Sequence, residues 1–254
     1  LFPADYPEAQ LRGPRFRPEQ FLGRRTFPFP GSNQLNRLAV HPAVVDFAER
    51  ALLSTDLRLY QTALWAKYTG VADYEQPMHQ DQNHSFMPFR AEPGWWHLEG
   101  FLYLSDVDDG VAPTRLVDVS HSQGRNVVLP QPPAEQAPDL YRAEQSAAGA
   151  RGSFLAYRPD VFHRGVNLTR PGGSRFLYSL SFKLGQQDWI AYDNAQPTST
   201  VGRFVRFVES CSPRELNLFG VPLPGHPFWN EAMLAALAER YPRLDLTPWR
   251  DALG

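Results

Sequence analysis

The spacing of apolar residues changes along the chain. In His41-Pro-Ala-Val-Val-Asp-Phe-Ala-Glu-Arg-Ala-Leu-Leu-Ser54 they recur three and four apart behind a proline in the first turn, which predicts a helix. From Leu59 to Gly185 the period shortens to two, the spacing of strands. Leu59-Tyr-Gln-Thr-Ala-Leu-Trp-Ala-Lys-Tyr68 and Gly152-Ser-Phe-Leu-Ala-Tyr157 read as strands, and Arg175 to Lys183 alternates most cleanly. There Phe176, Tyr178, Leu180 and Phe182 share one face, and Arg175, Leu177, Ser179, Ser181 and Lys183 share the other. The Pro-Gly-Gly turn signal between Val166 and Ser174 predicts that this strand forms a hairpin with the segment around His163. Helical spacing returns at Val201 to Glu209 and in Asn230-Glu-Ala-Met-Leu-Ala-Ala-Leu-Ala-Glu-Arg-Tyr241, which Pro242 stops.

The remaining segments are rich in turn formers. Leu1 to Asn36, rich in Pro, Arg and Phe, reads as an extended lead-in with a short helical stretch near Pro18-Glu-Gln-Phe-Leu. Gln131-Pro-Pro-Ala-Glu-Gln-Ala-Pro-Asp-Leu-Tyr reads as a surface loop. Many short strands with helices at both ends predict a mainly β protein, a double-stranded β-helix (a cupin-like jelly roll) with flanking α-helices. With 254 residues, 43% of them apolar and 13% aromatic, the chain can bury a substantial core. No repeat or linker divides it, so one domain is expected over 1–254, with the lead-in at 1–58, the jelly-roll core at 59–185 and a helical part at 186–254.

Chemistry enters with His79-Gln80-Asp81 and a later His163 in Asp160-Val-Phe-His-Arg-Gly-Val-Asn-Leu. On a strand, residues i and i+2 project to one side, so His79 and Asp81 can grip one ion while Gln80 points away. Two imidazoles and a carboxylate are the ligand set of non-haem Fe(II) oxygenases, and three protein ligands leave positions on an octahedral ion where a co-substrate and dioxygen bind together. A His-x-Asp tripeptide is weak evidence by itself, and His41, His84, His97, His121 and His226 read as ordinary packed or surface histidines. Arg175 has two readings. Either its face of the strand meets water and it is a surface charge, or that face lines a barrel lumen, where a guanidinium holds the far carboxylate of a dicarboxylic acid through a bidentate pair.

Around these residues the sequence resembles the phytanoyl-CoA dioxygenase-like branch of the Fe(II)/2-oxoglutarate-dependent oxygenases. Leu102-Tyr-Leu-Ser-Asp-Val-Asp-Asp-Gly-Val-Ala-Pro-Thr-Arg-Leu-Val-Asp-Val-Ser-His121 is similar to that family's strand, acidic turn and Gly-Pro-Thr-Arg-Val-Val-Pro-Gly-Ser-His segment, with Pro113, Thr114, Arg115, Val117, Ser120 and His121 in register. Asp118 and Val119 depart from the family's Pro-Gly. Ser212 to Trp229 is similar to C-terminal stretches of bacterial members, so the resemblance runs from about Leu59 to Trp229. It implies that His79, Asp81 and His163 bind Fe(II), that Arg175 anchors the C5 carboxylate of 2-oxoglutarate, and that O2 is consumed. The implied reaction is oxidative decarboxylation to succinate and CO2 with hydroxylation of an unactivated carbon; desaturation and ring closure begin in the same way. Asp81 stands where halogenating relatives carry a small residue, which argues against halogenation. Gln61 and Tyr103 are implied as further co-substrate contacts, with Lys67 and Thr114 as weaker candidates. A cupin-like metalloenzyme without 2-oxoglutarate and a non-catalytic metal-binding jelly roll remain alternatives.

The aromatic, turn-rich stretch between Asp81 and Glu99 reads as a lid over a small-molecule substrate, with Phe86, Phe89, Trp95 and Trp96 either lining a pocket or filling core. Arg90 reads as a loop arginine that meets either solvent or a substrate acid. A formal charge of -2, from 25 basic and 27 acidic residues, gives no pull toward nucleic acid or an anionic membrane. No apolar run reaches membrane-span length, no signal-peptide pattern opens the sequence, and the single Cys211 suits a reducing cytoplasm. Oligomeric state is left open.

Overall fold

In a computed structural model, residues 22–26, 32, 34–35, 38–81, 85, 87–122, 132–190 and 221–254 are described, with isolated positions between 205 and 216. The helix expected after His41 is α1, Pro42–Leu52. His41 caps it by accepting from the Ala43 amide, Pro42 occupies the first turn where an amide proton has no partner, and Leu53 ends it in the left-handed region at φ 55°.

Among the described residues there are eight strands: β1 Arg24–Thr26, β2 Leu57–Tyr68, β3 His97–Tyr103, β4 Arg115–Leu116, β5 Gln145–Ser146, β6 Phe154–Tyr157, β7 His163–Arg164 and β8 Ser174–Leu184. They form a five-stranded sheet in the order β1-β2-β8-β3-β6 and a three-stranded sheet in the order β5-β4-β7, with every neighbour pair antiparallel. The chain is thus mainly antiparallel β with few helices.

β8 lies between β2 and β3, and the alternation read from the sequence sorts its two faces. Tyr178, Leu180 and Phe182 pack with Val44, Ala48 and Leu52 of α1 on the outer side. Burying side chains of this kind contributes about 1.5–3 kcal/mol each. Gly100 of β3 belongs to this outer side: a Cβ there would meet the Phe154 ring at 2.3 Å, so only glycine lets that ring lie across the strand. The other face, with Arg175, Leu177, Ser179 and Ser181, is also buried, Leu177 packing with Val107, Val111 and Leu168. Arg175 on that face is therefore buried and not a surface charge in contact with water. A bulge between Leu59 and Gln61 interrupts the β2·β8 ladder, and the Tyr60 hydroxyl reaches inward to Glu99.

Three expectations change. The hairpin between the His163 segment and β8 does not form: β7 pairs with β4, while β8 crosses to the large sheet. The Pro-Gly-Gly turn is present, with Gly172 at φ 64°, but it carries the chain between sheets. β7 is two residues long, whereas β2 and β3 offer β8 long ladders. The stretch taken as a surface loop before Tyr141 contains α2, Pro138–Ala143, with Pro138 in its first turn and Leu140 fully buried beside Met78 and Phe162. Residues 79–81 make no continuous strand; His79 makes a single bridge to His163.

At the C-terminal end, α3 spans Glu231–Arg240, capped by Asn230, and α4 spans Thr247–Asp251. They close an aromatic core with Trp189, Phe228, Trp229, Trp249 and Tyr60. The expected helix near Pro18 and most of that at Val201 to Glu209 lie outside the described residues. Among the described residues no helix is long and apolar enough to cross a membrane.

Candidate metal centre

His79 and His163 are brought together by their own backbones. The His79 amide donates to the His163 carbonyl at 3.0 Å and the His163 amide to the His79 carbonyl at 2.9 Å, so one antiparallel bridge sets the imidazoles side by side with ring centroids 4.2 Å apart. The zipper continues where the Gln76 amide donates to the Gly165 carbonyl and the Gln76 side chain accepts from the Gly165 amide. Gln80 turns away, as the alternation requires, and donates to the Asp160 carbonyl at 2.7 Å.

The rings are anchored in the same way, each through Nδ1 to the carbonyl two residues earlier. His79 Nδ1 lies 2.9 Å from the Pro77 carbonyl, and His163 Nδ1 lies 3.1 Å from the Val161 carbonyl. A carbonyl only accepts, so each Nδ1 carries the proton and each Nε2 presents its lone pair inward. Asp81 completes the cluster, with Oδ1 3.9 Å from His79 Nε2 and Oδ2 3.2 Å from His163 Nε2. The three ligand atoms lie within 4.8 Å of one another, and all three residues are buried. Ligands about 2.1 Å from an ion stand about 3 Å apart at adjacent octahedral corners, so small side-chain rotations bring these onto one ion. Two imidazole nitrogens with fixed tautomers and a carboxylate suit a divalent transition metal with open positions.

A second feature sits on the inner face of the large sheet. Lys67 of β2 and Arg175 of β8 are register partners, both shut away from solvent. The Arg175 Nη1 donates to the Ala112 carbonyl, and among the described residues its Nε has no hydrogen-bond partner. Lys67 Nζ donates to the carbonyls of Tyr74 at 2.6 Å and Val166 at 2.7 Å and lies over the Tyr74 ring. Burial, and then the charge of Arg175, pull the Lys67 ammonium down to about 7; burial also lowers Arg175. Of the nearby carboxylates, Asp73 accepts from the Leu168 amide and Glu75 pairs with Arg164, while their charges offset part of the effect of burial on Lys67, and that of Asp73 part of the effect on Arg175. Two adjacent buried cations without a bound carboxylate are costly unless an anion joins them. Val166, whose carbonyl accepts from Lys67, lies three residues beyond His163 in the chain.

The remaining expected residues are dispersed. Gln61 faces Ser181 Oγ at 3.2 Å on the inner face. Tyr103 is buried and its hydroxyl donates to the Ala147 carbonyl. Thr114 is buried beside β4. Of the supposed lid, Phe89 lies edge-on to His97, while Trp95 packs on Trp189 and Phe228, and Trp96 lies under Arg158. Both tryptophans therefore fill core, and Phe86 lies outside the described residues. Arg90 pairs with Glu92 and donates to the Pro227 and Phe228 carbonyls, a tether to the C-terminal core.

The sequence reading missed two groups. Glu99, an acid at an inward position of an otherwise apolar strand, is buried and accepts from Tyr60 and Ser181. Tyr157, at the end of β6, donates to Asp81 Oδ2 at 2.9 Å. Burial, then the charges of Asp81 and Glu99, push its hydroxyl well above the usual tyrosine range, so it stays a donor.

These features define a mainly β protein with a buried two-histidine, one-carboxylate cluster and a buried cationic pair. Residues 15–171 match the family model described as phytanoyl-CoA dioxygenase, and the chain belongs to that family. The match starts well before Leu59 and stops short of Trp229. No curated protein matches the chain significantly. Among solved structures, EctD from S. alaskensis in its apo form is 16% identical, with a TM-score of 0.51 over 67% of this chain and 61% of that one, a likeness in fold. HygX from Streptomyces hygroscopicus, solved with nickel and 2-oxoglutarate bound, is 16% identical with a TM-score of 0.48 over 67% and 70% of the two chains. SnoN, a non-heme alpha ketoglutarate dependent epimerase from nogalamycin biosynthesis, is 20% identical with a TM-score of 0.45 over 60% of this chain. The chain spans 57% of the length of SnoN.

Proposed function

We propose that the protein is an Fe(II)- and 2-oxoglutarate-dependent dioxygenase that hydroxylates an unactivated carbon of a small organic molecule. The balanced reaction takes substrate C–H, 2-oxoglutarate and O2 to the alcohol, succinate and CO2. The observation that carries this reading is the buried, adjacent cation pair Lys67 and Arg175 of the large sheet, with the Arg175 Nε unpartnered among the described residues, in a chain that also forms the buried His79, Asp81 and His163 cluster. In this reading the two sheets are the walls of a double-stranded β-helix, residues 1–254 act as one cytoplasmic catalytic domain, and neither nucleic acid nor membrane is a partner.

His79, Asp81 and His163 would hold the metal, and ferrous iron bound there would supply the redox chemistry that couples O2 and the keto acid to oxidation of the substrate carbon. The chain's own groups bind and orient. Arg175 receives the C5 carboxylate, its free Nε and outer nitrogens offering the fork that a carboxylate matches. Lys67 adds a second positive charge beside it. Gln61 and Tyr103 flank the co-substrate on the inner face, while the Pro77 and Val161 carbonyls hold the two imidazole tautomers. A metalloenzyme of the same fold that did not use 2-oxoglutarate would leave the cation pair without an anion. Succinate should form when Fe(II)-loaded protein is supplied with 2-oxoglutarate and O2, and His79→Ala should abolish it; iron-loaded wild type that never consumes 2-oxoglutarate with any substrate tried, and gains no thermal stability from it, would overturn the assignment.

A further inference from the structure

The Tyr157 hydroxyl has one proton and two acceptors within reach, Asp81 Oδ2 at 2.9 Å and His163 Nε2 at 3.3 Å. The tyrosine is held rigidly. It ends β6 in register with Glu99 of β3, its ring lies 4.6 Å from the His163 ring and 6.2 Å from that of Phe101, and it is 7% exposed. Because His163 Nδ1 is committed to the Val161 carbonyl, Nε2 is the atom that a metal engages. A metal on Nε2 removes one of the two acceptors and leaves Asp81 Oδ2 for the hydroxyl proton.

We infer that Tyr157 is a positioning residue for the metal centre, holding the Asp81 carboxylate so that one oxygen serves as ligand while the other accepts the phenol hydrogen bond. The inference rests on the metal-centre reading and adds to it. Three protein ligands, two co-substrate atoms and dioxygen fill an octahedral ion, so a carboxylate gripping with both oxygens would block one of those positions. A buried hydroxyl donor on the second oxygen opposes that, and such outer partners typically affect metal affinity by about 10–100-fold.

The test uses Co(II) alone as probe, with Tyr157→Phe, which keeps the ring and deletes the hydroxyl. The expected result is Co(II) affinity lowered about tenfold or more and visible d–d bands shifted in position or intensity, with the melting temperature of the metal-free protein little changed. A purely packing role for the tyrosine would not move the bands. Wild-type affinity and an unchanged spectrum in Tyr157→Phe, with Co(II) binding lost in His79→Ala, would overturn the Tyr157 assignment alone; binding that survives His79→Ala would instead sink the metal-centre reading. Should Tyr157→Phe fail to fold, 3-fluorotyrosine placed at position 157 gives the second measurement. Its 19F resonance should move on addition of diamagnetic Zn(II), and an unmoved resonance in a protein that binds Zn(II) through His79 would contradict the role.

Discussion

Replacing Arg175 by methionine should make the protein more stable and less able to bind its co-substrate. Arg175 is 4% exposed, its Nε is unpartnered among the described residues, and Lys67 stands opposite it in the ladder. Deleting a buried, unpaired charge removes a desolvation penalty of several kcal/mol. The variant also loses one charge-assisted bond to the Ala112 carbonyl, worth about 1.5–3 kcal/mol. Methionine fills similar space, so a net gain on the order of 1–3 kcal/mol is expected, or about 2–10 °C in the melting temperature of the metal-free protein. The co-substrate, in contrast, loses a two-pronged carboxylate contact. Taking about 3–4 kcal/mol for that loss, with Lys67 remaining, affinity falls about 10²–10³-fold. Thermal melts with Mn(II) and with or without 2-oxoglutarate read both effects. At a concentration one hundred times the wild-type Kd, 2-oxoglutarate adds about 2.7 kcal/mol to wild type and no more than about 0.4 kcal/mol to the variant. Equal stabilisation of the two proteins by 2-oxoglutarate, or a metal-free Arg175→Met less stable than wild type, would refute this account of the cation pair.

Lys67 gives a pH dependence with a defined sign. Its folded pKa is about 7 against an ordinary 10.5, so between those values the unfolded chain binds the extra proton and the metal-free protein gains stability as pH rises. Affinity for 2-oxoglutarate should fall across the same window as Lys67 loses its charge; from pH 7 to 9, thermal melts for stability and titration calorimetry for affinity should find both trends weakened in Lys67→Met. Asp81→Ala should remove tight Mn(II) binding, which electron paramagnetic resonance of the free ion measures; retained binding would exclude Asp81 as a ligand. Leu180, fully buried between β2 and β3 and under α1, should cost about 2–5 kcal/mol on Leu180→Ala, read by urea unfolding at constant slope.

The cluster of His79, Asp81 and His163 was readable in the sequence because two of its members are two residues apart and the third stands in a segment, Asp160 to Leu168, that reads as a later strand. The sequence also sorted the faces of β8 correctly, since period two assigns sides whatever the partner strand. Period two says nothing about which strand is the partner, so the Pro-Gly-Gly turn suggested a hairpin where the chain in fact crosses between sheets. His79 and Asp81 share a side without a continuous strand, because one backbone bridge to His163 suffices to fix the geometry. α2 was hidden among prolines, although Pro138 at its first turn is a recognised start signal. Tyr157 escaped because tyrosine is an ordinary strand residue, and its role exists only once β6 is placed opposite Asp81. Glu99 left a trace, a carboxylate at an inward position, whose meaning depends on the hydroxyls of Tyr60 and Ser181 arriving from two other strands.

Anaerobic titration of the Fe(II)-loaded protein with 2-oxoglutarate tests the central claim most directly, because a keto acid chelating ferrous iron gives a weak visible charge-transfer band. The account predicts that the band appears in wild type, saturates at one equivalent, requires far more 2-oxoglutarate in Arg175→Met and is absent from His163→Ala. Iron bound at His79, Asp81 and His163 with no band at any concentration of 2-oxoglutarate would contradict it.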